Sequence, residues 1–127
     1  MTNRQQDSWK GRRVLVTGAT GIIGSWLTKE LLARDAEVVA LVRDQGPQSE
    51  LFRSGDINRV SVVNGELEDY RTCERAINEN EVDSVMHLGA QTIVGAAARS
   101  PLATLEANIK GTYNILEACR VHSSLVQ

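Results

Sequence analysis

Thr17-Gly18-Ala19-Thr20-Gly21-Ile22-Ile23-Gly24 follows directly on the apolar run Val14-Leu15-Val16. A buried strand there runs into a glycine-rich turn and then a helix. Gly18 suits the sharp turn, Gly21 removes a side chain where a pyrophosphate would touch backbone, and Gly24 permits close helix packing. The helix start presents unpaired N–H groups and the positive end of its dipole to an anion. The chemistry this pattern predicts is capture of a dinucleotide, NAD or NADP. A second selector lies at the end of the next strand. An acid there takes the ribose hydroxyls of NAD, whereas an arginine suits the 2′-phosphate of NADP. The usual acidic position falls on Val42, followed by Arg43 and Asp44. Arg43 leans the reading to NADP, while Asp44 either binds the ribose or pairs with Arg43.

Elements must hold these groups together. The predicted strands are residues 13–17, 36–43, 60–63 and 82–88, the last as a fully buried strand. The predicted helices are 22–34, 67–80 and 102–120, with a loop and a short helical turn over 45–56. Apolar spacing places Ile23, Leu27 and Leu31 on one face of the first helix, and Cys73, Ala76 and Ile77 inward on the second. Leu102, Leu105, Ile109, Leu116 and Cys119 lie near one face of the third, whose first turn accommodates Pro101. Residues 91–99 are rich in small side chains and read as a loop or short helix. Alternating strands and helices imply a parallel sheet with right-handed crossovers, in the order 3-2-1-4, with strand four an edge unless something covers it.

The chain has 127 residues and a net charge of −2, enough length for a single core. It lacks a basic block, which argues against nucleic acid as a partner. Its apolar runs are too short for a membrane helix. Residues 1–10 are polar and read as a flexible tail without a signal-peptide core, with residues 11–127 as the binding domain. Cys73 and Cys119 stand apart from each other and from clustered histidines, so no metal site is expected. A cytoplasmic protein with reduced thiols is the corresponding expectation.

Three further motifs accompany the glycine turn: Gly65-Glu66-Leu67-Glu68-Asp69, His87-Leu88-Gly89-Ala90-Gln91, and Asn108 to Ala118 containing Gly111-Thr112-Tyr113. Over residues 9–120 the chain resembles the N-terminal half of an extended short-chain dehydrogenase/reductase of the NAD-dependent epimerase/dehydratase family. Trp9-Lys10-Gly11-Arg12 and Gly24-Ser25-Trp26-Leu27 most resemble its nucleotide-sugar 4,6-dehydratase branch, of CDP-glucose and GDP-mannose type. The resemblance implies a Rossmann-like sheet with helices on both faces, ending before a fifth strand. It implies that Gly18, Thr20, Gly21, Ile22 and Ile23 surround the pyrophosphate and that Glu66 and Leu67 flank the adenine. Leu88, Gly89 and Ala90 would run beneath the nicotinamide ribose. Gln91 and Thr92 would face the nicotinamide end, and Asn108 would tie its helix to neighbouring backbone. The CDP-glucose likeness pulls the cofactor toward NAD, so both dinucleotides stay open.

The family's chemistry oxidises a nucleotide-sugar at C4, eliminates water across C5–C6 and returns hydride to C6. It requires a Tyr-x-x-x-Lys pair, the tyrosine serving as acid/base. Tyr70 is followed four residues on by Glu74, and Tyr113 by Glu117. The chain therefore reads as a cofactor-binding portion without its catalytic pair, or as a non-catalytic NADP-binding or redox-sensing module. Other side chains have plainer readings. His87 reads as a core histidine and His122 as a solvated residue suiting a helix end. Trp9 and Trp26 read as packing on the sheet base, and Asp69 and Glu68 as capping or solvated. The resemblance also places the last helix in a helical dimer interface, so self-association is expected.

Overall fold

The computed structural model describes residues 8–43, 48–90 and 98–126. Four parallel strands, β1 (Arg13–Thr17), β2 (Glu37–Val42), β3 (Ser61–Asn64) and β4 (Ser84–His87), form one sheet in the order β3-β2-β1-β4. This is the predicted Rossmann-like order. Helices α1 (Ile22–Ala33), α2 (Glu50–Arg53), α3 (Tyr70–Glu79), α4 (Pro101–Leu105) and α5 (Gly111–Val121) join or follow the strands. Between α4 and α5, Glu106–Lys110 widens into a π-helical turn, so residues 101–121 run as one rod.

Strand periodicity divides the core in two. Val14, Val16, Val38, Ala40 and Val42 pack with Leu31 and Leu32 of α1 and with Leu51. Leu15, Val39 and Leu41 pack on the other face with Cys73, Ala76 and Ile77 of α3 and with Ile115 and Ala118 of α5. Side chains on both faces explain why β1 and β2 read as continuous apolar runs rather than alternating ones. Trp9 packs against the first cluster, and the Gly11 N–H donates to the Asp35 carbonyl at 2.9 Å.

Several sequence expectations change. β4 is half-buried along its length rather than fully buried, because among the described residues no strand covers its outer edge. On α1 the buried face is Gly24, Ser25, Thr28, Leu31 and Leu32, and Ile23 points to solvent. The register is set by Gly24, which must lie against the turn. Trp26 is exposed, with the Lys29 ammonium 5.5 Å from its ring centre. On the last rod the buried residues are Ala107, Gly111, Asn114, Ile115 and Ala118. Leu102, Leu105, Ile109, Tyr113 and Leu116 form an exposed apolar stripe. His122 pairs with Glu74 of α3 at 3.2 Å instead of standing free in solvent.

Candidate functional site: the carboxyl end of the sheet

The turn after β1 is built by two close approaches. Gly18 has φ +74, a left-handed conformation that a side chain opposes. A Cβ there would also lie 2.8 Å from both the Gly89 nitrogen and the Leu88 carbonyl carbon. A Cβ on Gly24 would fall on the Gly18 carbonyl oxygen. The turn thus rests on the end of β4 on one side and on α1 on the other. The Gly21 N–H donates to the Gly18 carbonyl at 3.0 Å, closing the turn.

Gly21 is the N-cap of α1. No side chain caps the helix, and its first turn contains no acid. The helix-start donors and the positive dipole end are therefore neither neutralised nor blocked. Ile22 and Ile23 are exposed, and Thr20 is half-buried beside them. The α2 helix, by contrast, is capped by Ser49, whose oxygen accepts from the Leu51 N–H at 3.2 Å.

Arg43 and Glu66, predicted for opposite ends of an adenosine, meet here. Arg43 Nε lies 3.9 Å from Glu66 Oε1, and both side chains are more than half exposed. Leu67 is partly buried and fills the space beside two glycines. A Cβ on Gly89 would lie 2.6 Å from its Cδ1, and one on Gly111 would lie 2.8 Å from its Cβ. The Leu67 carbonyl accepts from Asn114 Nδ2 at 2.8 Å. Asn114 is a tie between the last helix and this loop that the sequence reading missed; a buried asparagine on an otherwise apolar face was the available signal. Asp69 caps α3 as expected, accepting from the Arg71 N–H at 3.1 Å and the Thr72 hydroxyl at 3.0 Å. Leu88 and Gly89 are half-buried and Ala90 is exposed. Asp44, Gln91 and Thr92 lie outside the described residues.

His87 is a partly buried residue, and burial holds its imidazole below the ordinary value. Its ring bridges Thr17 and Thr112. Burial also pushes the Cys73 thiol up to about 11, which leaves it a small apolar side chain at neutral pH. Among the described residues no group of three or more His, Cys, Asp and Glu is placed to hold a metal. No described helix is long and apolar enough to cross a membrane.

A Rossmann-like sheet with an open glycine turn at its carboxyl edge defines the class. The family model described as GDP-mannose 4,6 dehydratase matches residues 15–126, and the chain belongs to that family. It is 32% identical over 113 residues to CDP-glucose 4,6-dehydratase of Salmonella typhimurium, covering 88% of this chain and 32% of that protein. It is 44% identical over 86 residues to dTDP-4-dehydro-6-deoxy-D-allose reductase of a Streptomyces species, covering 66% of this chain and 26% of that protein. UDP-glucose 4-epimerase of Thermus thermophilus, solved in complex with NAD, superposes with a TM-score of 0.74 at 37% identity. That match covers 87% of this chain and 34% of the epimerase. The chain thus spans about a third or less of the length of these relatives.

Proposed function

We propose that this chain is the NAD(P)-binding portion of a nucleotide-sugar 4,6-dehydratase or epimerase. The observation that carries the reading is the Gly18 turn, where left-handed backbone, side-chain-free contact and an uncapped, acid-free helix start coincide. These residues fit a dinucleotide. Gly18, Thr20, Gly21, Ile22 and Ile23 hold the pyrophosphate, chiefly through backbone N–H groups. Glu66 accepts from the adenine amine, beside Leu67. Leu88, Gly89 and Ala90 lie under the nicotinamide ribose, with Gln91 beyond. Arg43 or Asp44 selects the ribose, and the exposed guanidinium of Arg43 favours NADP. Residues 11–127 constitute the binding domain, against whose core Trp9 also packs.

When bound, such a cofactor accepts and returns a hydride. The nucleotide-sugar and the catalytic steps belong to the whole protein. No lysine lies four residues after Tyr70 or Tyr113, and that observation favours binding without turnover by these 127 residues. It equally motivates a second reading, a non-catalytic NADP-binding or redox-sensing module. We also assign the exposed stripe of Leu102, Leu105, Ile109, Tyr113 and Leu116 to contact with a second copy.

Calorimetric titration with NAD and, separately, NADP tests the binding reading. Saturable binding of either supports it, and the tighter ligand settles the cofactor. Binding of neither overturns it. Turnover of a CDP- or GDP-sugar by the purified chain would overturn the assignment of binding without catalysis.

A further inference from the structure

Thr17, the last residue of β1, is fully buried. Its Oγ1 accepts from the Leu88 N–H at 3.0 Å and the Gly89 N–H at 3.0 Å. The same atom lies 2.6 Å from His87 Nδ1. A hydroxyl has two lone pairs and one proton. Both lone pairs are spent on backbone donors, so the proton must go to Nδ1. That nitrogen is then an acceptor, and the ring hydrogen sits on Nε2. Nε2 lies 3.1 Å from Thr112 Oγ1 and donates to it. The Thr112 hydroxyl in turn donates to the Asn108 carbonyl at 2.7 Å. Each side-chain donor finds one acceptor, and the bonds run in one direction from the β4 end to the last helix.

A charged imidazolium would turn Nδ1 into a donor facing a donor, so the ring is neutral with its hydrogen on Nε2. Of the two backbone groups, Gly89 depends more on Thr17. The Leu88 N–H also reaches the Thr17 carbonyl at 3.1 Å. Gly89 is in turn the residue against which Gly18 rests. Moving Gly89 therefore moves the turn.

We infer that Thr17, His87 and Thr112 form a one-way hydrogen-bond relay that fixes the Gly89 backbone against the Gly18 turn. Thr17 and His87 are accordingly positioning residues for the dinucleotide. Only the identity of the ligand rests on the function proposed above; the relay stands on its own geometry.

The test is nitrogen-15 NMR of the 127-residue chain, with and without Thr17→Val and Thr17→Ser. The expected result is an unprotonated Nδ1 and a protonated Nε2 on His87. Thr17→Val raises the exchange rate of the Gly89 amide by about tenfold or more, as expected for a partly buried donor left without its acceptor. The amides of Val14 to Val16 keep their rates, and dinucleotide affinity falls by about tenfold. Thr17→Ser, which keeps the hydroxyl, restores both. A ring hydrogen on Nδ1, equal loss of protection along the whole of β1, or failure of serine to rescue overturns the relay. If Thr17→Val does not fold, the tautomer in the unaltered chain and the serine variant decide. If the unaltered chain binds neither NAD nor NADP, the functional reading fails, and the tautomer and Gly89 exchange still judge the relay.

Discussion

At the carboxyl end of the sheet, Thr17, Gly18, His87 and Gly89 meet through partly buried hydrogen bonds and side-chain-free backbone contact. At the amino end, Arg13 reaches Glu37 at 2.9 Å and Glu81 at 2.6 Å beside an open hollow of about 280 Å³ lined also by Ser61, Glu79 and Asn80. Both ends contain short polar contacts, but their surroundings differ. Arg13 and its partners are well exposed, so water and salt screen their attraction. Hydrogen bonds donated to Glu37 and Glu81 raise the guanidinium pKa, yet this leaves arginine charged as it would be anyway. At the carboxyl end the Thr17 side chain is fully buried, and a Cβ added to Gly18 or Gly24 would strike backbone. Precision is therefore concentrated where the turn must hold its shape.

Breaking the carboxyl end should give the largest effect. Gly24→Ala puts a methyl group on the Gly18 carbonyl, and we expect about 3 kcal/mol of lost stability by chemical denaturation, near the upper range for overpacking. Gly11, also at positive φ but with nothing within 4 Å of an added Cβ, sharpens the contrast. Gly11→Ala should cost only about 1 kcal/mol, from its left-handed backbone alone.

The second expected effect concerns the apolar stripe. The double variant Leu105→Glu/Leu116→Glu should convert a self-associating chain to monomer by light scattering, with circular dichroism unchanged. A monomeric unaltered chain would refute the assignment. Next comes selectivity: Arg43→Ala should weaken NADP binding by about tenfold or more, in keeping with loss of a charge-assisted contact, and leave NAD nearly unaffected in calorimetry.

A smaller effect follows from pH. His87 has a folded-state pKa below its ordinary 6.5 because burial disfavours the charged ring. The unfolded chain therefore binds the proton more readily. The contribution of His87 is complete above about pH 6.5 and is lost as the pH falls toward its lowered folded value. Denaturation midpoints across this window should decline on acidification, and less steeply for His87→Asn. The smallest effect is expected at the amino end, where Arg13→Gln should leave the thermal midpoint unchanged in moderate salt.

Much of this architecture was legible in the residues. Val14-Leu15-Val16 and the glycines after Thr17 identify a strand and its turn, because few backbones accept that spacing. Asp69 is readable as a cap and Cys73, Ala76 and Ile77 as an inward face, since the helical period leaves little choice. The Thr17–His87–Thr112 relay was not readable. It joins residues far apart in sequence, and a histidine in an apolar strand carries no sign of its partners. Nor does any local pattern announce the π-helical turn before Gly111.

The sequence by itself determined the alternation of strands and helices, the sheet order and the place of the glycine turn, because these follow from local period and backbone sterics. The tertiary structure alone decided which side of each helix is covered. Ile23, Leu105 and Leu116 are apolar and regularly spaced, yet the buried faces belong to smaller neighbours, Gly24 on α1 and Ala107, Gly111 and Ala118 on the last rod. Periodicity records that a stripe exists. Only the approach of another surface, close enough to demand small residues, determines which stripe meets it.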